Sequence, residues 1–161
     1  MTHLKPGDPA PEFTLLDHES NPVSLSDFAG QKVVVYFYPA ALTKGCTIEA
    51  VDFTSVLDEM QSCGYQIIGI SPDPVEKIDR FITKENIRHI LLSDPAKETI
   101  AAYGAWGERT IFGSTVVGVL RSTFVIDVKT DGPATIEMAK YSVRATGHVA
   151  RLMKDLGIDE P

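Results

Sequence analysis

The chain has 161 residues, 43% of them hydrophobic, which suits one well-packed domain covering residues 1–161. Its formal net charge of −7 argues against binding to nucleic acid or to an anionic membrane surface, since both need clustered Lys and Arg. Two cysteines and four dispersed histidines do not make a disulfide scaffold or a metal site, and no apolar stretch reaches the roughly 18 to 20 residues of a membrane span. With no signal-peptide pattern at its start, the protein is expected to be cytoplasmic.

Strand signals appear in chain order from the N-terminus. Two short apolar runs, 13–16 and 23–25, flank a turn-forming stretch and predict an N-terminal β-hairpin. Three later runs are apolar on both faces, which is typical of central strands covered by helices on both sides. They are 33–38, 66–71 and 122–127. Residues 134–141 alternate more, and we expect them to pair antiparallel with the last of these runs.

Helix signals lie between the strands. One apolar stripe runs from Phe53 to Met60, and a second runs from Val149 to Leu156 and stops at Gly157. The alternation of strands and helices predicts the α/β class, with a central mixed sheet flanked by helices.

Two Asp-Pro pairs predict helix starts, and one stretch predicts a loop. Asp73 resembles an N-cap before a first-turn proline, and Asp94 starts a short helix that ends at Gly104. The Gly-rich stretch 104–118 is expected to be an irregular, mobile loop. No dinucleotide or P-loop pattern follows a strand, so no cofactor is expected.

Cys46 is the most informative candidate residue. It follows the strand 33–38 and opens an apolar-periodic stretch, so its thiol is expected at a helix N-terminus. Unpaired N–H groups and the helix dipole stabilise the nucleophilic thiolate there. Gly45 suits a turn that brings N–H groups near the sulfur, and the Thr43 hydroxyl can donate to the sulfur and accept from a substrate. A buried structural cysteine and an ordinary N-cap threonine are the plain alternatives.

The spacing Pro39-x-x-x-Thr43-x-x-Cys46, followed by Thr47-Ile48-Glu49-Ala50, resembles the active-site signature of the peroxiredoxins. The similarity is closest to the bacterioferritin comigratory protein or peroxiredoxin Q subfamily and extends over nearly the whole chain. Other blocks that resemble this subfamily, in the same order, are 6–11, 69–71, 92–94 and 121–127.

The resemblance implies a thioredoxin-like fold and reduction of hydrogen peroxide or alkyl hydroperoxides, with Cys46 as the peroxidatic thiolate. Such enzymes carry an arginine at a strand start beside the thiolate, and the matching residue is Arg121. Pro39 is expected to shield the pocket. Glu49 and Tyr38 are candidates for positioning Arg121, with packing or surface roles as the alternatives.

The chemistry explains why such donors are needed. Attack of a thiolate on an O–O bond moves negative charge from sulfur to oxygen, so preorganised donors along that path lower the barrier. Arg121, the Thr43 hydroxyl and the Cys46 backbone N–H are the predicted donors. Lys44, beside the thiol, adds little if it is exposed.

The chain departs from the subfamily five residues after Cys46, where members often carry a resolving cysteine and Val51 stands here. Natural loss and deliberate replacement both explain that valine. Along an unbroken helix Cys63 lies roughly 25 Å from Cys46, whereas a disulfide needs Cα atoms within roughly 7 Å. We therefore predict an inert Cys63 and a one-cysteine cycle, with thioredoxin, a glutaredoxin-like protein or a small thiol as reductant. The resemblance favours a monomer, with a weak homodimer as the alternative.

Two other functions compete with a peroxidase. A cysteine hydrolase needs a histidine to activate Cys46, and the nearest candidate is His148, which is expected at the surface. The non-enzymatic alternative is a thioredoxin-fold chaperone or interaction module with little peroxidase activity.

Overall fold

The computed structural model describes residues 3–161, in which helices surround a seven-stranded mixed sheet and a separate hairpin stands apart from it. The strands are β1 (Thr14–Leu16), β2 (Pro22–Ser24), β3 (Lys32–Phe37), β4 (Tyr65–Ser71), β5 (Ile90–Ser93), β6 (Trp106–Ile111), β7 (Ser114–Val119), β8 (Ser122–Asp127) and β9 (Thr135–Lys140). The helices are α1 (Lys44–Ser55), α2 (Leu57–Ser62), α3 (Val75–Glu85), α4 (Glu98–Ala102) and α5 (His148–Leu156), with a 3-10 helix at Leu25–Phe28.

The sheet has the order β2-β1-β5-β4-β3-β8-β9. Strands β3, β4 and β5 are parallel, and the remaining neighbours are antiparallel. The three runs predicted as central strands are the adjacent strands β4, β3 and β8. The predicted N-terminal hairpin is confirmed by β1–β2, and the predicted antiparallel pairing of residues 134–141 with the last central run is confirmed by β8–β9. Strand β5 is not predicted by the sequence.

Alternate side chains of β3 enter two different cores, because successive residues of a strand point to opposite faces. Val34 and Tyr36 pack on the face covered by α1, α2, α3 and α5. Val33, Val35 and Phe37 pack on the other face, with the 3-10 helix, α4 and the N-terminal residues. Since both faces are covered, the strand is apolar at every central position.

The apolar stripe from Phe53 to Met60 does not form one helix. The backbone leaves helical geometry at Val56, with φ −111° and ψ 6°, and α2 begins at the next residue. This turn allows the consecutive residues Val56 and Leu57 both to be buried, at 4% exposure each. The expectation of a single helix is therefore wrong.

The Gly-rich stretch 104–118 is not an irregular loop. Strands β6 and β7 pair antiparallel, from Trp106 opposite Val119 to Ile111 opposite Ser114. The two turn residues, Phe112 and Gly113, both have positive φ, as a type I′ hairpin turn requires. The glycines obscured the strand signal of the β-branched residues around them.

The C-terminal stripe agrees with its prediction, since α5 ends at Leu156 and the next residue, Gly157, caps it with φ +70°. The short helix predicted from Asp94 starts later, at Glu98, although the Asp94 carboxylate accepts the Ile100 N–H at 2.9 Å. Within residues 3–161, the structure has no helix with the length and apolar character needed to cross a bilayer.

Candidate active site

The sheet register brings together residues that lie far apart in the sequence. Strand β8 runs antiparallel to β3, with Ser122 opposite Phe37, so the start of β8 lies beside the end of β3. Arg121 comes directly before β8, and the segment 38–43 that leads into α1 comes directly after β3. We call this segment the Cys46 loop. The pairing places Arg121 next to Cys46, although 75 positions separate them.

Cys46 occupies the first turn of α1, whose N-cap is Thr43. The first helical hydrogen bond runs from the Thr47 N–H to the Thr43 carbonyl at 2.9 Å, so the Cys46 N–H belongs to the unpaired N-terminal set. The residue is 1% exposed. The side chain therefore lies in the first turn of a helix, beside unpaired N–H groups, in a site largely closed to water.

The Arg121 guanidinium contacts two acidic groups through different nitrogens. Its Nη2 lies 3.4 Å from the Cys46 Sγ, and its Nη1 lies 2.6 Å from the Glu49 Oε1. Burial opposes the charge, but Glu49 and Cys46 together raise the pKa of Arg121 above its usual value. The guanidinium is thus a permanent cation with a fixed orientation.

Glu49 is fully buried, and burial raises the pKa of its carboxyl to about 7 although Arg121 opposes the shift. Its second oxygen, Oε2, has no hydrogen-bond partner among residues 3–161, and the His148 Nε2 lies 4.0 Å from it. The carboxyl can therefore gain or lose a proton near neutral pH while it holds Arg121. Of the two residues proposed to position Arg121, Glu49 makes the contact.

His148 is 2% exposed, so its expected surface position is wrong. It is the first residue of α5 and faces the sheet, where its Nε2 lies 2.7 Å from the Thr123 hydroxyl and its ring packs edge-on against Phe53. Burial lowers the pKa of His148 to about 4, so the ring is neutral at pH 7. Its nitrogen is engaged by Thr123 and not by Cys46, which removes the base that a hydrolase needs.

The Thr43 hydroxyl makes a backbone hydrogen bond that leaves only one of its predicted roles, that of an acceptor for a ligand. Its hydroxyl donates to the Ala40 carbonyl at 2.7 Å, and the structure shows no capping bond from this side chain to α1. The Thr43 hydroxyl proton is therefore used in the bond to Ala40. Thr43 is exposed, so the lone pairs of its hydroxyl oxygen can still accept a hydrogen bond. In this arrangement the hydroxyl can accept from a ligand but does not donate to the sulfur.

Gly45 has a steric role beside Arg121. It lies within α1, and a Cβ at this position would stand 3.2 Å from the Arg121 Nη2 and 3.6 Å from Ala145. The missing side chain leaves room for the guanidinium. The sequence had indicated a turn at this glycine, whereas the structure indicates a close approach.

Tyr38 and Pro39 are the first two residues of the Cys46 loop and follow β3 directly. Tyr38 is 1% exposed and packs near the rings of Tyr36 and Phe81. Its hydroxyl finds no hydrogen-bond partner within the described residues and does not contact Arg121. The alternative of a packing residue therefore describes Tyr38. Pro39 is half-buried at the start of the Cys46 loop.

Asp73 is not the N-cap of α3, which is Pro74. Its carboxylate points instead to the Cys46 loop, where Oδ2 accepts the Ala41 N–H at 2.6 Å. The Ser-Pro-Asp-Pro pattern hid this contact, because an aspartate before a proline is an ordinary helix-start signal.

Both cysteines are free thiols in this structure, and they differ in environment. Cys46 is buried, whereas Cys63 is exposed at the C-terminal end of α2. Val51 is 40% exposed on α1. Among residues 3–161, no group of three or more His, Cys, Asp or Glu side chains is arranged to hold a metal ion.

Several known proteins are similar to this chain in sequence and in fold. The AhpC/TSA family model matches residues 6–131. A putative peroxiredoxin of Mycobacterium tuberculosis is 50% identical over 157 residues, covering 98% of each chain. Peroxiredoxin Bcp of Escherichia coli is 44% identical over 127 residues, covering 79% of this chain and 81% of its own. The bacterioferritin comigratory protein of Xanthomonas campestris, solved in a study of its alkyl peroxide reduction, superposes with a TM-score of 0.81 at 30% identity over 90% of each chain.

These similarities span the sheet, the helices and the Cys46 loop, and they define a thiol-dependent peroxidase with a thioredoxin-like fold. The chain belongs to the AhpC/TSA family and, within it, to the bacterioferritin comigratory protein or peroxiredoxin Q subfamily.

Proposed function

We propose that this peroxidase reduces hydrogen peroxide and alkyl hydroperoxides at Cys46, and that Cys46 is its only redox-active cysteine. The observation that carries the proposal is the 3.4 Å contact between the Cys46 Sγ and the Arg121 Nη2 in a buried site. The alkyl hydroperoxide substrate class is supported by the Xanthomonas campestris relative, whose study concerns alkyl peroxide reduction.

In the proposed first step, the Cys46 thiolate attacks one oxygen of the peroxide, ROOH. A sulfur–oxygen bond forms, the O–O bond breaks, and RO⁻ leaves and takes a proton to give ROH. Sulfur loses two electrons and becomes a sulfenic acid, while the peroxide is reduced by two electrons. Arg121 and the Cys46 N–H stabilise the charge that moves to oxygen.

The remaining residues hold this arrangement in place. Thr43 accepts the hydrogen of the peroxide O–H, which orients the O–O bond toward the sulfur. Glu49 fixes Arg121 through the 2.6 Å bond to its Nη1. Pro39, at the start of the Cys46 loop, limits the access of water to the thiolate.

In the proposed second step, an external thiol attacks the sulfenic acid to form a mixed disulfide and water. A second thiol then releases Cys46 and leaves as an external disulfide. Two observations support a cycle without an internal partner: residue 51 is valine, and Cys63 is exposed at the far end of α2. Thioredoxin, a glutaredoxin-like protein or a small thiol is the proposed reductant.

The experiment compares Cys46→Ser with the matched control Cys63→Ser. Peroxide consumption with each candidate reductant is expected to vanish in the first variant and to stay at the wild-type rate in the second. Mass spectrometry after one equivalent of peroxide is expected to find one added oxygen on Cys46. An internal bridge between Cys46 and Cys63 would refute the one-cysteine cycle.

We also propose that the protein acts as a monomer in a reducing compartment such as the cytoplasm. Two unpaired cysteines suit a reducing environment. Analytical ultracentrifugation tests the first point, with a weak homodimer as the outcome that would contradict it, and fractionation of cells with an antibody tests the second.

A further inference from the structure

We propose that Asp73 is a positioning residue for the peroxidase reaction. Its buried carboxylate holds the Cys46 loop in the conformation from which the thiolate attacks peroxide. This inference rests on the proposed role of Cys46 as the peroxidatic thiol.

The contact between Asp73 and the loop is short and shielded from water. Oδ2 accepts the Ala41 N–H at 2.6 Å and the Ser71 hydroxyl at 2.9 Å. Asp73 is 7% exposed and Ala41 is 1% exposed, so water does not readily replace either partner. Hydrogen bonds to a charged acceptor are among the stronger ones, and a buried N–H without a partner is unfavourable.

Asp73 is itself held at the C-terminal ends of two interior strands, β4 and β5. Its Oδ1 pairs with the Lys77 Nζ at 3.1 Å, and its carbonyl accepts the Ser93 hydroxyl at 2.6 Å. Ser71 and Ser93 are the last residues of the parallel strands β4 and β5, which pair at this position. The Asp73 carboxylate therefore links the Cys46 loop to the C-terminal ends of β4 and β5.

The loop needs such a restraint because of its backbone conformation. Leu42, next to Ala41, has φ +68°, a left-handed conformation that residues with a side chain rarely adopt. Such a conformation persists only where its surroundings enforce it. Thr43 and the first turn of α1 follow directly, so relaxation of Leu42 would displace the Thr43 hydroxyl and the N–H groups around the Cys46 sulfur.

Asp73→Asn tests the role with little change in shape. An amide oxygen in the Oδ2 position can still accept from Ala41 and Ser71, but these bonds lose the negative charge that strengthens them. The amide N–H₂ group then faces the Lys77 Nζ in place of Oδ1, which opposes this orientation. Asp94→Asn is the matched control: Asp94 is 2% exposed and accepts the Ile100 N–H at 2.9 Å, but it lies at the entry to α4 and does not contact the Cys46 loop.

Three measurements on the reduced proteins separate positioning from general stability. The second-order rate constant with hydrogen peroxide is expected to fall by about 10- to 100-fold in Asp73→Asn. Amide exchange at Ala41, followed by NMR, is expected to be at least about tenfold faster. Alkylation of Cys46 by a bulky maleimide is expected to become faster, since the closed loop limits access. Asp94→Asn is expected to lose about as much thermal stability as Asp73→Asn but to show none of these three changes.

The proposal is wrong if Asp73→Asn matches Asp94→Asn in the peroxide rate constant or in exchange at Ala41. Should Asp73→Asn not fold, Ser71→Ala removes one hydroxyl donor to the carboxylate, and amide exchange at Ala41 is expected to be about threefold faster than in wild type. Unchanged exchange at Ala41 in that variant would equally overturn the proposal. Exchange and alkylation need no turnover, so they distinguish failure of this inference from failure of the proposed function.

Discussion

Replacement of Arg121 by lysine gives the sharpest test of the site chemistry. The guanidinium reaches Glu49 at 2.6 Å and Cys46 at 3.4 Å with two different nitrogens. Lysine keeps the charge but has one nitrogen, which cannot occupy both positions. Because Glu49 is fully buried, we expect the ammonium to remain with the carboxylate and the sulfur to lose its side-chain donor.

The expected loss follows from comparison with other preorganised donors. One such donor contributes about 10²- to 10³-fold to the rate, or about 2.7–4 kcal/mol of barrier. Stopped-flow measurement of the second-order rate constant for hydrogen peroxide should therefore show Arg121→Lys slower by that factor. Arg88→Lys is the control, since Arg88 pairs with Asp58 at the surface. A rate constant for Arg121→Lys within about threefold of wild type would refute the argument that the guanidinium acts directly on the reacting atoms.

A second measurement uses Arg121→Met, which removes the cation. Burial already raises the pKa of Glu49 to about 7, and loss of Arg121 raises it further. A carboxyl with a raised pKa in the folded state contributes stability at low pH, and this stability is lost as pH rises through that pKa. Arg121→Met should therefore lose thermal stability relative to wild type between about pH 6 and pH 9, whereas Arg121→Lys should not. If the thermal stabilities of Arg121→Met and Arg121→Lys change with pH in the same way, the pKa of Glu49 does not depend on the cation at position 121.

Three further predictions concern Glu49, Val51 and Gly69. With hydrogen peroxide, Glu49→Gln should be slower than wild type by about tenfold above about pH 8 and should match it below about pH 6, because the protonated carboxyl then resembles the amide. Val51→Cys should form an internal disulfide with Cys46 after one equivalent of peroxide, seen by mass spectrometry as the loss of two hydrogens. The start of α1 must unwind for this, since the residues lie about 7.5 Å apart along the helix axis. Gly69→Ala should destabilise the fold by about 1–3 kcal/mol in urea titration, because its Cβ would lie 2.7 Å from atoms of Tyr36 and Leu91.

Each of these predictions has its own control or contrary result. A rate ratio for Glu49→Gln that does not change with pH would mean that the carboxyl does not titrate near neutrality. For Val51→Cys, persistence of a sulfenic acid with no bridge would show that α1 stays closed after oxidation. Gly118→Ala is the control for Gly69→Ala, since a Cβ there meets no atom within 4 Å; equal destabilisation by both would contradict the steric argument.

The central strands could be predicted from the sequence because their patterns are local. Residues of β3, β4 and β8 are apolar at consecutive positions, which only strands covered on both faces require. The position of Cys46 at a helix start also followed from local signals. By contrast, Val56 ends α1 without a glycine or proline, and the β6–β7 turn contains Phe112 at positive φ, so neither feature had the usual sequence marker.

The contacts of the site were less predictable because they depend on register. Arg121 meets Cys46 only because Ser122 pairs with Phe37 across two antiparallel strands. The burial of His148 and the turn of Asp73 toward Ala41 depend on how α5 and the β4–α3 connection pack. An aspartate before a proline is an ordinary helix-start signal, and nothing in the local sequence marks His148 as buried. The sequence therefore predicted an N-cap at Asp73 and a surface position for His148, and both predictions were wrong.

The interruption at Val56 bears on how the oxidised sulfur is repaired. A small peroxide can reach a recessed sulfur, whereas a reducing protein must bring its own thiol into contact with it. α1 ends at Ser55 and α2 begins at Leu57, with Met60 of α2 fully buried, so Cys46 lies on a helix that is separate from α2. For a protein reductant, local opening of α1 alone would expose the sulfur without unfolding α2.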